Sequence, residues 1–180
     1  MSYGNLVLAS TKKGIIPNAI KWFTNSVFSH SFVTMPDILG TPMCMDASES
    51  GVDMLRFDYG YSDNPGQGYQ VWELKLPQNV KDKAIVQILK DLETSYGFLA
   101  FPWFVWRKVC RWFGKDVKAQ NNWSQAGMIC SQLCVAYLLA CGLESVFKGY
   151  GTGSIAPQDL QNIFVAHPEL FEKIEEVRLP

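Results

Sequence analysis

Apolar residues recur along this chain with two periods, and the changes between them mark out the elements. After Gly4, NLVLAS reads as a short strand, and IPNAIKWFTNSV (residues 16–27) has helical spacing with Pro17 in its first turn. SHSFVTM reads as a strand, MPDILGT as a turn-bearing connection, PMCMDA as a second strand, and SGVDMLRF as a third with Gly51 at the bend before it. The acidic, glycine-rich stretch 59–68 is a loop, after which YQVWELKLP alternates as a half-buried strand does. An amphipathic helix is predicted from Asn79 to about Thr94, with Ile85, Ile88, Leu89 and Leu92 as its stripe. GMICSQLCVAYLLACG is too apolar to face water and predicts a buried helix from about Ile129 to Ala140, stopped at Gly142. PQDLQNIFV is a short helix and FEKIEEVRLP a terminal segment. With no internal repeats, this order predicts an α+β fold in which a mostly antiparallel sheet packs against the late helix.

At 180 residues, with 48% apolar and 18% charged positions, the chain suits one folded domain over 1–180. A net charge of -1 gives no overall field for nucleic acid, and no such partner is expected. The start lacks the arrangement of a secretory signal and no apolar run is long enough to span a bilayer. A cytoplasmic location, or delivery by a non-classical or phage route, is therefore expected. Five cysteines without a CxxC pair argue against a disulfide framework or cysteine-rich zinc site. No His/Asp/Glu cluster has ligand spacing, and GQG and GTG lack a strand-loop-helix context, so neither metal nor cofactor is expected.

GFLAFPWFVWRKVCRWFGK changes the picture locally, because it interleaves seven Phe or Trp residues with Arg107, Lys108, Arg111 and Lys115. It reads as an insertion or lid over about 98–118, with peripheral membrane or lipid contact as the competing role. A nucleic-acid groove would need a second such patch.

Of the candidate nucleophiles, Cys134 and Cys141 follow Cys130 at four and eleven residues, on roughly one helical stripe. Free cysteine is common in cores, and that reading covers all three. Cys130 differs by position: it lies at the amino end beside Ser131 and Gln132, where backbone N–H groups and the helix field favour a thiolate. A thiol needs a base, and the sequence has two histidines. His167 in VAHPEL has no acidic or polar partner pattern and reads as a surface or structural residue. His30 lies in a strand. A hairpin pairing residues whose numbers sum to 76 would oppose His30 to Asp46, Phe32 to Cys44 and Thr34 to Pro42. Glu49 is the rival partner for the imidazole.

Four blocks in this order give the chain a resemblance to the circularly permuted papain-like enzymes of the NlpC/P60 superfamily, particularly the YiiX/YaeF-like branch. GNLVLASTKKGIIPNAIKWFTNSVFSHSFVT is similar to the family's glycine-led strand, helix and Ser/Thr-His strand. MCMDASESGV resembles its acidic-Ala block before a Gly-Val bend, GMICSQLCVAYLLACGL its Cys-Ser-Glu-Leu helix, and SIAPQDL its Ser/Thr-Pro-x-x-Leu segment. The blocks span about residues 4–162. The resemblance implies Cys130 as nucleophile, His30 as base and Asp46 as orienting acid, in a hydrolase that forms a thioester. Backbone N–H at Cys130, with Ser29, Ser31 or Gln125 as further candidates, would hold the oxyanion. Asp46 stands where this branch commonly has Glu, and Gln132 where it has Glu. The implied substrate is a peptide or peptidoglycan amide. A fatty-acyl or lipid thiol hydrolase or acyltransferase, and a noncatalytic lipid- or partner-binding protein of the same fold, are the alternatives.

Overall fold

The computed structural model describes residues 3–10, 15–48, 50–57, 68–95, 97, 106, 109–110, 112–115 and 127–177. Among these, six strands form one antiparallel sheet: β1 (Leu6–Ser10), β2 (His30–Ile38), β3 (Thr41–Ser48), β4 (Gly51–Arg56), β5 (Gly68–Leu74) and β6 (Phe171–Val177). Their spatial order is β4-β3-β2-β1-β5-β6, so β1 and β2 are central. Four α-helices are described throughout their length: α1 (Ile15–Thr24), α2 (Gln78–Ile88), α3 (Cys130–Ala140) and α4 (Pro157–Ala166). The predicted α+β class and antiparallel sheet are both present, and the terminal segment supplies edge strand β6.

Three boundaries differ from the periodicity, each for a local reason. Helix α1 ends three residues before position 27 because Asn25 turns left-handed (φ 53°) and Ser26 N–H donates back to the Lys21 carbonyl, the bond pattern of a Schellman stop. Helix α2 ends at Ile88, followed by a single 3-10 turn at Leu89–Asp91. The backbone of Glu93 and Thr94 instead bonds to Val52 at the head of β4, at 2.9 Å each way. Gly51 (φ 120°) admits this approach, since a Cβ there would lie 2.8 Å from the Thr94 carbonyl oxygen. MPDILGT is mostly strand: β2 runs to Ile38, and Leu39 and Gly40, both at positive φ, make the hairpin turn. Pro36 is tolerated because β1 pairs with β2 only from His30 to Val33, and the β2–β3 ladder is irregular between Met35 and Ile38.

Alternation along the strands divides the sheet into two apolar faces. Leu6, Leu8, Val33, Met35, Met45 and Ala47 join the core that includes α2 and α3, whereas Val7, Ala9, Phe32, Cys44, Tyr69 and Val71 form a smaller cluster on the other face. Helix α3 lies on β2 and β3 with α2 beside it. Its Tyr137 hydroxyl donates to the Gly4 carbonyl at 2.9 Å, and a Cβ at Gly4 would lie 2.7 Å from that hydroxyl oxygen. The glycine that leads the first strand is thus a docking point for the helix that carries Cys130.

Candidate active site

The β2–β3 ladder pairs Val33 with Met45, Thr34 with Cys44 and Met35 with Met43. These pairs sum to 78, so the predicted register is corrected by two residues. Its error came from treating MPDILGT as loop, which put the hairpin centre at Ile38 instead of near Leu39. A two-residue slip returns each side chain to the same face. Extending the ladder by one residue sets Phe32 opposite Asp46, and His30 becomes the diagonal neighbour of Asp46. The contact survives: His30 Nε2 lies 2.5 Å from Asp46 Oδ1. Their side chains are 15% and 5% exposed. The shorter arm of aspartate, compared with glutamate, reaches the ring from this diagonal position.

Around the pair the sheet face is aromatic. Phe32 lies 6.1 Å from the His30 ring, Phe57 packs edge-on against Phe32, and Tyr69 packs edge-on against Phe57. Cys44 shares this face, and burial pushes its thiol up to about 12, with Asp46 adding to the rise and His30 opposing it.

Cys130 is buried and is the first residue of α3, as predicted. Two neighbours in sequence hold this helix end. Gln132 Oε1 accepts from Ile129 N–H at 3.0 Å, the return bond of a capping box, and the Ser131 hydroxyl donates to the Ile155 carbonyl at 2.6 Å. The sequence reading gave Gln132 no role. Its signal was a glutamine at the third helical position. Asp159 does the same for α4 by accepting from Ala156 N–H at 3.0 Å.

Cys134, one turn after Cys130, is in the core. Burial pushes its thiol up to about 12; the nearby Ser31 hydroxyl, which has no partner at ordinary hydrogen-bond geometry, only partly opposes that rise. Cys141 is pushed up to about 11, mainly by burial, against the contrary pull of Tyr137 and Lys81. His30 and Asp46 share the sheet face of Phe32 and Cys44, while α3 covers the opposite face. His30 begins β2 and Cys130 begins α3, so an approach between them runs round the head of β2, not through the sheet.

No protein-family model matches the chain, and no curated protein matches it in sequence. In three dimensions it is similar to the metalloprotein YiiX from Escherichia coli O157:H7 (DUF1105), with a TM-score of 0.58 and 15% identity over 99% of this chain and 98% of YiiX. The fold is YiiX-like. At this identity the likeness is one of fold, and it extends over both chains almost entirely. Among the described residues no three His, Cys, Asp or Glu side chains converge as metal ligands. No helix of the described residues is long and apolar enough to cross a membrane.

His167 does have an acidic partner, contrary to the sequence reading: its Nδ1 lies 3.0 Å from Glu169 Oε1. Glu49, Gln125 and most of the segment 98–118 lie outside the described residues.

Proposed function

We propose that this chain is a permuted papain-like thiol hydrolase that cleaves an amide, of peptide or peptidoglycan type, through a thioester on Cys130. The observation that carries the reading is the largely buried His30–Asp46 pair at the head of β2, the strand on whose other face the helix that begins with Cys130 packs. Because Nε2 faces Asp46, Nδ1 is the nitrogen that takes the Cys130 proton. The thiolate then attacks the carbonyl carbon, and the first-turn amide of Cys130, which has no acceptor within the helix, donates to the oxyanion. The C–N bond breaks as the imidazolium protonates the leaving amine. Water next attacks the thioester, giving its proton to Nδ1, and the acid product leaves with the thiol restored. Asp46 holds the ring and balances the imidazolium charge throughout.

Intact-mass analysis with an activated acyl donor tests this. The expected result is one acyl adduct on Cys130 that water slowly removes, absent from Cys130→Ala and slow to form in His30→Ala. A small thiol-reactive electrophile should likewise label Cys130 before Cys134 and Cys141, whose thiols burial disfavours as nucleophiles. No adduct, together with equal labelling of the three cysteines, would instead identify a binding protein that retains the fold.

A further inference from the structure

Large aromatic side chains normally leave water, yet Trp22 on α1 is 55% exposed, Trp112 67% and Phe113 79%. Trp106 is exposed as well. Two of them meet: Trp22 and Trp112, ninety residues apart in the chain, pack edge to face with centroids 6.2 Å apart. The turn carrying Trp112 is fixed by its own backbone, since Phe113 N–H and Lys115 N–H both donate to the Cys110 carbonyl and Gly114 follows at φ 73°. The backbone of this turn therefore holds Trp112 and Phe113 outward. Charge accompanies the aromatics. Residues 106–118 contain five Lys or Arg and one acidic residue, and Lys21 precedes Trp22, although the whole chain carries -1.

We infer that this surface docks the protein on an anionic lipid bilayer. Indole rings are favoured at the boundary between headgroups and acyl chains, where an apolar body and a polar N–H are both accommodated. Lys115, exposed in the turn that carries Trp112 and Phe113, meets the negative lipid surface, and no spanning segment is required. The concentration of positive charge in a nearly neutral chain selects an anionic bilayer over a neutral apolar partner. This inference is independent of the hydrolase reading, because none of its residues belongs to the proposed chemistry.

Co-sedimentation of the full chain with phosphatidylcholine vesicles, alone or mixed with phosphatidylglycerol, tests it. Binding should require the anionic lipid, weaken as salt rises, and shift tryptophan emission to the blue. The double variant Trp112→Ala/Phe113→Ala should bind about tenfold more weakly, and Lys115→Glu should lose about tenfold of the preference for anionic vesicles. Circular-dichroism melting of each variant checks that the fold is kept. Absence of binding, binding undiminished in the folded double variant, or a homodimer that the double variant dissolves while vesicles are ignored would each overturn the inference. The last outcome would assign the patch to a second copy of the chain.

Discussion

The chain pairs each of its two histidines with a carboxylate, and the two pairs behave as different chemical objects. His30 and Asp46 are brought together across a hairpin, with side-chain exposures of 15% and 5%. His167 and Glu169 are two positions apart in a turn, at 34% and 63%. In the first pair, burial strengthens the attraction and makes an unpaired partner costly; in the second, water screens much of the interaction. A histidine beside an acid is therefore a weak signal by itself. What distinguishes His30 is the supporting architecture: central strand β2 fixes its backbone, β3 fixes Asp46, and α3 packs on the other face of these same two strands.

The sharpest way to break this comparison is to remove each histidine. On a reporter substrate, His30→Ala and Cys130→Ala should each lower turnover by about 10⁴-fold or more, whereas His167→Ala should remain within about twofold of the parent, as an exposed surface substitution does. Equal losses in the two histidine variants would erase the distinction. Asp46→Asn comes next, with an expected loss of about 10²- to 10⁴-fold in kcat. It keeps the side-chain volume but removes the negative charge, so a KM near the parent's should accompany the fall if Asp46 acts through the imidazole.

Stability offers a smaller contrast at the head of α3. Ser131→Ala leaves the buried Ile155 carbonyl without its donor and should cost about 1–3 kcal/mol. Gln132→Ala removes only the capping bond to Ile129 and should cost about 1 kcal/mol. Urea unfolding measures both. A Gln132 variant less stable than the Ser131 variant would mean that the cap, and not the tie to the α4 side of the molecule, holds this helix end.

The same contrast between local and long-range control explains what was legible in the sequence. The limits of α3 were readable from the apolar run that begins near Ile129 and from Gly142 after the last turn, while the local signal of Gln132 in the first turn went unused. The end of α2 was not, because the competing acceptor and donor for Glu93 and Thr94 lie on Val52 of β4, some forty residues earlier. The hairpin register was wrong by two positions because proline in MPDILGT resembles loop, while the strand continues past it on the side that β1 no longer covers. The His30–Asp46 contact was still found because a two-residue error preserves the face. The aromatic segment had a legible composition, but its meeting with Trp22 depends on tertiary structure.

The smallest expected effect tests the solvated pair itself. The Glu169 carboxyl is held below the usual glutamate range, first by a backbone N–H of its own residue and then by the His167 side chain. The folded state thus favours its ionised form. The resulting stabilisation is present above the unfolded-state pKa of about 4.3 and is lost as pH falls through the lower folded-state value. Glu169→Gln cannot ionise, so its melting temperature should lie slightly below the parent's at neutral pH, and the gap should close as pH drops below the carboxylate range. Calorimetry of the two proteins across that range measures the closure. A large gap at neutral pH would show that His167 and Glu169 are coupled far more strongly than their exposure allows, and desolvation would no longer separate the two histidines.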